Sequence, residues 1–200
     1  MSHDPHSPVT PAEAWEFRYA QAPKRWSGNP NATLVDVVAP LTPGRAIDLG
    51  SGEGADAIWL ARQGWQVTGV DVSDVALDRA RQHADAAGVR VEFVLDDLAT
   101  SPGEFDLVTS FFLHVPEAAL RERTLLVAAA SVAPGGTLLV VGHSRAAGHG
   151  HDSMLLETGH EVVEKLRLSA DEWIIEVTAD VERAATNMHT VDTVVRARRR

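Results

Sequence analysis

Cysteine is absent from the 200-residue chain, which excludes disulfide bonds, thiolate metal sites and cysteine nucleophiles. Long apolar runs are absent too. The longest strong run, GTLLVVG at 136–142, has the length of a strand, whereas a membrane-spanning helix needs roughly 18 residues. The opening residues, MSHDPHSPVTPAEAW, lack the basic segment and apolar core of a secretory signal. These absences predict a cytoplasmic protein with no membrane partner.

Positive charge is also scarce. The chain has 18 Lys and Arg residues against 28 Asp and Glu residues, which gives a formal net charge of −10. Proteins that bind long nucleic acids usually carry a basic patch, because neutralising phosphates supplies much of the affinity. The one basic cluster, RARRR at 196–200, is more typical of a solvated tail than of a nucleic-acid arm. A small-molecule partner is therefore favoured over a nucleic acid.

Short apolar segments alternate with helical patterns from Gly44 onward. This alternation predicts right-handed crossovers and a doubly wound, Rossmann-like α/β sheet. The predicted strands are 45–50, 66–71, 89–97, 104–112 and 137–143, and the predicted helices are 11–22, 53–63, 74–87 and 116–132. The first, fourth and fifth strands are apolar almost throughout, as expected of parallel strands covered on both faces.

The end of the chain changes character. Segments 171–184 and 189–199 both alternate polar and apolar residues with no long helix between them, which predicts an antiparallel addition at the sheet edge. We expect a single domain with a seven-stranded, mostly parallel sheet and one antiparallel edge strand. Residues 1–10 would form a flexible leader, 11–43 an N-terminal helix and possible lid, and 44–200 the core. Both a monomer and a homodimer remain open.

Glycines recur between the first predicted strand and the first predicted helix, in the loop Gly50-Ser51-Gly52-Glu53-Gly54-Ala55. Ligands of doubly wound sheets bind beyond the carboxyl ends of the strands, so this loop is a candidate nucleotide site. Its spacing satisfies the loose dinucleotide pattern G-x-G-x-x-G/A. A glycine turn that serves only tight packing has the same spacing. Spacing alone therefore does not identify the ligand.

Charge distinguishes the possible ligands. A dinucleotide site places a pyrophosphate at the helix N-terminus, where backbone N–H groups favour anions. Here Asp48 ends the strand and Glu53 opens the helix, and two like charges a few ångströms apart repel by on the order of several kcal/mol. S-adenosylmethionine, which has a sulfonium, an ammonium and no phosphate, suits such a loop better than a nicotinamide dinucleotide.

The stretch IDLGSGEG at 47–54 resembles the first motif of the class I S-adenosylmethionine-dependent methyltransferases, and the resemblance covers nearly the whole chain. It implies that the glycine loop passes beside the methionine part of the cofactor and that Asp48 accepts its ammonium. The cofactor-binding residues that it implies in this motif are Asp48, Gly50, Ser51, Gly52 and Gly54.

Two further segments resemble the family at the ends of the second and third strands. In VTGVDVS the resemblance implies that Asp71 holds the ribose hydroxyls and that Val72 lies against the adenine. In LDDLA it implies that Asp97 accepts from the adenine amino group and that the Leu98 backbone N–H reads the ring, with Asp96 as the competitor for Asp97. The structural alternatives are a helix-capping role for Asp71 and a solvated loop for Asp97.

The segment FDLVTSFFLHV resembles the fourth strand of these enzymes and the loop that faces the transferred methyl group. Ser110 would border the cofactor. His114 is the residue of this loop that can take a proton near neutral pH, so it is the candidate catalytic residue. The alternative is a histidine that fixes the loop against the next helix.

The N-terminal stretch FRYAQAPKRWSGNPN resembles small bacterial methyltransferases of the tellurite-resistance and thiopurine-methyltransferase-like groups. By that resemblance, Tyr19 and Trp26 would roof the cofactor and Arg18 would meet its carboxylate. A helix stapled by apolar contacts, with its charges exposed, accounts for the same residues.

Histidines concentrate after the fifth strand, in GHSRAAGHGHDSM. His143, His149, His151 and Asp152 could contact a substrate or ligate a metal. Their short spacings and intervening glycines favour a solvated loop, so no metal is expected.

Two absences narrow the acceptor. The Asn/Asp-Pro-Pro-Tyr/Phe box of amino-methyltransferases acting on DNA bases or glutamine is missing from SFFLHV, and methylation of a pyrimidine carbon would need a cysteine. We expect an enzyme that methylates an O, N or S nucleophile of a small molecule. The alternatives are a nicotinamide-dependent oxidoreductase, a catalytically silent cofactor-binding module and an RNA methyltransferase guided by the Arg-rich end.

Overall fold

The computed structural model describes residues 10–97, 103–113, 117–145, 156–182 and 191–200, so the predicted leader lies almost entirely outside the described residues. The helices in the described part are α1 (Pro11–Ala20), α2 (Ala32–Val38), α3 (Ala55–Arg62), α4 (Asp74–Ala87), α5 (Ala118–Ala130) and α6 (Gly159–Leu166). The strands in the same part are β1 (Arg45–Leu49), β2 (Gln66–Asp71), β3 (Glu92–Leu95), β4 (Phe105–Phe111), β5 (Val132–His143), β6 (Trp173–Glu182) and β7 (Val191–Arg199).

The strands form one sheet in the order β3-β2-β1-β4-β5-β7-β6. Neighbours from β3 to β5 are parallel, and β7 runs antiparallel to both β5 and β6. The predicted doubly wound α/β fold, mostly parallel with one reversed strand, is confirmed. The reversed strand lies second from the edge, because the long connection through α6 carries β6 past the position that β7 then fills.

Local sequence signals explain where the helices begin and end. Helix α4 spans the predicted residues because the Ser73 side chain accepts from the Ala76 N–H at its start and Gly88 takes a positive φ of 68° at its end. Helix α3 begins at Ala55 rather than at the predicted Glu53. Gly54 directly before it has a φ of 84°, which a right-handed helix cannot contain.

Two helices and one strand start were missed. Helix α6 begins at a capping box in which Thr158 and Glu161 bond each other's backbone N–H groups, a signal visible in the sequence as T-x-x-E. Helix α2 has seven residues, too few for a clear period. Strand β5 begins at Val132 instead of 137, since the PGG turn is absorbed as an irregularity in its pairing with β4.

The expectation of a solvated basic tail was wrong. Arg196, Arg198 and Arg199 lie in β7, where Arg198 donates to Glu176 on β6 at 3.2 Å and Arg199 donates to the Val132 carbonyl. The alternating apolar residues between the arginines, such as the fully buried Val195 and Ala197, draw this segment into the sheet.

Core clusters lie on both faces of the sheet. One joins Ala46 and Leu139 to α2 and α3, and the other joins Ile47 and Val140 to α5 and α6. The order of strands reverses between β1 and β4, so the crevice at the carboxyl ends of these two strands is the expected ligand position.

Candidate functional site

The glycine loop follows β1 in that crevice. Gly50, Gly52 and Gly54 have φ values of 77°, 52° and 84°, a region that strains other residues. A Cβ atom on Gly50 would lie 2.8 Å from Cδ1 of Leu113, and one on Gly52 would lie 2.7 Å from the Tyr19 hydroxyl. Because these glycines carry no side chain, Leu113 and Tyr19 can pack directly against the loop backbone.

Buried carboxylates surround this loop. Burial and the nearby charges of Asp56 and Asp71 raise the pKa of Asp48 to about 8, although Thr109 donates to its Oδ1 at 2.8 Å. Burial raises the pKa of Asp56 to about 6 despite a backbone N–H from Asn31. Burial also raises the pKa of Asp71. Among the described residues none of the three forms an ion pair, so the loop favours a positively charged ligand.

The structure changes the assignment of Glu53. Burial would raise the pKa of Glu53, but the Arg79 side chain and the backbone N–H groups of Trp26 and Arg25 bind its carboxylate and lower the pKa. Arg79 donates at 2.9 Å and Trp26 at 3.0 Å. The expectation that Glu53 adds uncompensated negative charge to the loop was therefore wrong. Asp56, on the first turn of α3, together with Asp48 and Asp71, has no such cation among the described residues, so a bound cation would favour the charged form of these three groups.

Asp71 ends β2 and faces the loop. Its Oδ2 accepts from the Gly52 N–H at 2.8 Å and its Oδ1 from the Ser73 N–H at 3.0 Å. Ser73 is the N-cap of α4, so the Asp71 carboxylate joins the glycine loop to the start of this helix. Val72 lies between Asp71 and Ser73 and is half-buried.

The end of β3 meets the end of β2. The Asp96 N–H donates to the Asp71 carbonyl at 3.1 Å, and the next residue, Asp97, is exposed. Both carboxylates thus lie at the edge where the adenine contact was predicted. Leu98, predicted to read the ring, lies outside the described residues.

The N-terminal segment covers the glycine loop. Tyr19 is buried over Gly52, and the Trp26 indole N–H donates to the Tyr19 hydroxyl at 3.1 Å. Arg79 donates to the Tyr19 carbonyl at 2.9 Å, which joins this segment to the Glu53 ion pair. Arg18 differs from its neighbours, because its guanidinium stacks 5.0 Å from the Trp15 ring and is exposed. The structure therefore brings Tyr19 and Trp26 to the loop, but not the Arg18 side chain.

Two buried hydroxyls near the crevice lack partners. Within the described residues, no hydrogen bond is made by the side-chain oxygen of Ser51 in the loop or of Ser110 near the end of β4. Buried polar groups are rarely left unsatisfied, so this pair fits a site where a ligand supplies the missing contacts.

The loop after β4 was predicted to face the reaction. Phe112 has a positive φ of 50°, an unusual conformation for a bulky residue. Its ring centroid is 4.6 Å from that of His143, the last residue of β5. The predicted catalytic residue, His114, lies outside the described residues, as do His149, His151 and Asp152. His143, in contrast, is the last residue of β5, so the expectation that it lies in a solvated loop was wrong.

Comparison with known proteins identifies this architecture. Residues 46–136 match a family described as "Methyltransferase domain", and the match runs from β1 through the glycine loop to the start of β5. Residues 46–136 are thus similar to methyltransferase domains. The resemblance to class I methyltransferases stated from the motifs is confirmed.

Curated relatives carry related names. The chain is 39% identical over 108 residues to the ubiquinone biosynthesis O-methyltransferase of Thiobacillus denitrificans, covering 51% of this chain and 45% of that protein. It is 35% identical over 107 residues to the ribosomal RNA small subunit methyltransferase C of Alcanivorax borkumensis, covering 50% and 32%. The chain thus spans about half the length, or less, of these relatives.

Solved structures share the fold. A chain from the study of conversion of a disulfide bond into a thioacetal group during echinomycin biosynthesis superposes with a TM-score of 0.76 at 23% identity, covering 94% of this chain and 91% of that one. TehB from Haemophilus influenzae gives 0.71 at 17% identity, with 85% and 62% coverage. Magnesium protoporphyrin IX methyltransferase from Synechocystis PCC 6803, solved with bound S-adenosylmethionine, gives 0.66 at 18% identity, with 97% and 86% coverage.

Two other kinds of feature are absent from the described ranges. They contain no group of three His, Cys, Asp or Glu residues arranged to hold a metal ion. None of the helices there has both the length and the apolar character needed to cross a bilayer.

Proposed function

We propose that this protein is an S-adenosylmethionine-dependent methyltransferase that acts on an O, N or S nucleophile of a small molecule. The observation that carries the proposal is the group of three unpaired carboxylates, Asp48, Asp56 and Asp71, around a positive-φ glycine loop at the switch point of the sheet. Their raised pKa values mean that a cation would relieve an electrostatic cost already present in the fold.

The residues of the crevice fit the cofactor part by part. Asp48 would accept its ammonium, and the backbone of the loop would lie beside its methionine part. Asp71 would accept the ribose hydroxyls, since a carboxylate has roughly four acceptor positions and two are used by backbone N–H groups. Val72 and either Asp96 or Asp97 would border the adenine. Tyr19 and Trp26 would close the pocket from above.

Methyl transfer needs few catalytic groups from the protein, because the cofactor supplies the reactive methyl group. When bound, the sulfonium supplies an electrophilic methyl group and leaves as a neutral thioether. The chain must orient the acceptor and exclude water, and the buried Tyr19 and the Leu113 side chain over Gly50 are placed to do so.

The acceptor class is argued from surface and charge. The net charge of −10, and the incorporation of the Arg-rich end into β7, do not favour a long polyanion. The name of the Thiobacillus relative supports an O-methylated small molecule. The Alcanivorax relative, named for ribosomal RNA, is 35% identical and shares a smaller part of its length, so RNA is the second candidate.

Isothermal titration calorimetry tests the proposal. The protein should bind S-adenosylmethionine and S-adenosylhomocysteine more tightly than NAD⁺ or NADH. Asp71→Ala and Gly52→Arg should each weaken binding at least tenfold with unchanged circular dichroism, because the first removes a carboxylate and the second fills the cradle under Tyr19. Asp74→Ala, at the exposed start of α4, is the matched control and should bind as the wild type does.

Two results would contradict the proposal. Tighter binding of a dinucleotide would favour the oxidoreductase alternative, and undiminished binding by both variants would refute the site. Turnover is read separately as release of S-adenosylhomocysteine across phenols, amines and thiols. Binding without release to any acceptor would favour a catalytically silent module.

A further inference from the structure

We propose that His143, oriented by Asp192, is the general base that removes the proton of the methyl acceptor. This inference rests on the methyltransferase function proposed above and adds a residue and an acceptor class to it. The geometry that points to it is an imidazole–carboxylate pair at the carboxyl end of β5, beside the loop that follows β4.

The pair is built by the sheet register. His143 and Asp192 are directly opposite each other in the antiparallel pairing of β5 with β7, and their Nδ1 and Oδ1 atoms are 3.2 Å apart. Cross-strand neighbours are held at fixed spacing, so the contact does not depend on a flexible loop. Their side chains are 17% and 12% exposed, which lets a small acceptor reach the pair while most water is kept away.

The chemistry of the pair selects a tautomer. A carboxylate can only accept a hydrogen bond, so Nδ1 of a neutral His143 must carry the proton that it donates to Asp192. Nε2, on the other side of the ring, then carries the lone pair. This arrangement, in which one carboxylate fixes the orientation and tautomer of an imidazole, is the one in which histidine acts as a general base.

The position of the pair relates it to the cofactor loop. Side chains alternate along β5, so His143 shares a sheet face with Leu139, which packs in the same cluster as Ala46 of β1. Asp48, two residues after Ala46, is on that face too. Leu113, which follows Phe112, contacts the position above Gly50.

Phe112 gives a second, independent indication. It combines a φ of 50° with ring contact to His143, and its N–H donates to the Val141 carbonyl at 2.8 Å. A bulky residue in this conformation costs on the order of 1–3 kcal/mol, and such strain concentrates at functional sites. Here it accompanies the placement of the Phe112 ring against the imidazole.

A base of this kind implies an acceptor that is neutral at working pH. A thiol ionises by itself near pH 8.5, whereas a phenolic hydroxyl ionises near pH 10 and keeps its proton. The acceptor class is therefore a weakly acidic hydroxyl such as a phenol. The acceptor's O–H proton moves to Nε2 of His143 while an electron pair on that oxygen forms the bond to the methyl carbon. The pair of the breaking carbon–sulfur bond stays on sulfur, and the imidazolium later returns its proton to water.

Other charged groups near His143 are already engaged. Arg121 and Glu157 line a small cavity with His143 and bond each other at 2.9 Å, and Asp180 accepts from Ser144 and Thr193. In the described part of the chain Asp192 is thus the carboxylate that faces the ring directly.

The first test does not depend on turnover. Long-range ¹H–¹⁵N NMR of the ¹⁵N-labelled protein, with His143 assigned through His143→Gln, should show the proton on Nδ1. Asp192→Ala should move the signal toward the Nε2–H tautomer. A wild-type His143 that carries its proton on Nε2 would overturn the inference.

The second test measures rates with phenol, 4-cyanophenol and 4-nitrophenol at one pH. His143→Gln should lose at least 100-fold in kcat with phenol, and the deficit should shrink below tenfold with 4-nitrophenol, which is already ionised. A structural role would lower all three rates equally. His160→Gln, on the exposed start of α6, is the matched control.

Three further results would overturn the inference, and measurements of cofactor binding separate its failure from failure of the proposed function. An equal loss with all three phenols, the graded loss in His114→Gln instead, or no methylation of any phenol by the wild type would each overturn the inference. Calorimetric binding of S-adenosylhomocysteine should be unchanged within twofold in His143→Gln. Loss of cofactor binding by the wild type would instead refute the proposed function.

Discussion

Individual carboxylates near the glycine loop look alike in the sequence but differ in the fold. Glu53 is neutralised by Arg79, whereas Asp48 is buried beside two other acids and its pKa rises to about 8. A residue kept in such an environment destabilises the empty protein in its charged form. When a cation binds beside it, the charged carboxylate contributes favourably to binding.

Replacement of Asp48 by Asn tests whether the Asp48 carboxylate lowers the stability of the empty protein while it increases affinity for a cationic ligand. The pKa of Asp48 in the folded protein, about 8, lies above its unfolded value of roughly 3.9, so the folded state binds this proton more tightly. The resulting contribution to the free energy of unfolding is fully present below about pH 4 and is lost as pH rises through about 8. The neutral variant avoids that loss, so its Tm at pH 9 should exceed that of the wild type by on the order of 5 °C, and by much less at pH 5. Differential scanning calorimetry measures both values.

The same variant should lose ligand affinity. At pH 9 we expect Asp48→Asn to bind S-adenosylmethionine at least tenfold more weakly, since the partner of the ammonium is gone. The ammonium of the ligand titrates equally with both proteins and cancels in the comparison. A variant that is equally stabilised at both pH values, or that binds as tightly as the wild type, would contradict this role.

Among the elements, α1 and the loop after it are held by few contacts. Glu16 bonds the Ser73 hydroxyl and the Val75 N–H at the start of α4, and Glu53 accepts the backbone N–H groups of Arg25 and Trp26. All of these contacts end on the glycine loop or on the first turn of α4. The segment is therefore anchored to the site that it covers.

Trypsin can report whether this segment is docked, because Lys24 and Arg25 lie in its loop. Glu16→Ala should speed cleavage at these residues severalfold, since the contacts with α4 are removed, and S-adenosylhomocysteine should slow cleavage of the wild type. Phe17→Ala, which alters an exposed aromatic ring on the same helix, is the control and should be cut like the wild type. Equal cleavage of all three proteins, with or without ligand, would show that the segment is no lid.

At the scale of the whole molecule, one large groove lies away from the candidate site. A groove of about 790 Å³ lies at the amino ends of β2 and β3, lined by residues that include Trp65, Arg81 and Gly88. Ligands of doubly wound sheets bind at the opposite, carboxyl edge, where the glycine loop and the buried acids are. The groove therefore lies at the opposite end of the sheet from the proposed cofactor site.

Hydrogen exchange separates the two ends. S-adenosylhomocysteine should slow exchange at 19–26, 49–56 and 70–73, because these backbone segments surround the proposed pocket. Segments 62–66 and 81–91, around the groove, should exchange at unchanged rates. Protection confined to the groove would place the ligand at the wrong edge for this proposal.

Much of this architecture could be predicted because it depends on local patterns. Helix α4 lies between a serine cap and a left-handed glycine, and both signals are readable in order along the chain. The first, fourth and fifth predicted strands are apolar almost throughout. The basic end could not be placed in the same way, since charge alone suggests a solvated tail, and only the buried alternation of Val195 and Ala197 against β5 makes it a strand.

The sequence by itself determined the fold class and the place of the glycine loop, because glycine conformation, helix caps and apolar periodicity act within a few residues of one another. The tertiary structure alone decided which acids are left without a cation and which histidine meets a carboxylate. Arg79 and Glu53 are 26 residues apart, and His143 and Asp192 are 49 apart. Such distant pairs acquire their charge state and geometry only when the sheet brings their elements together.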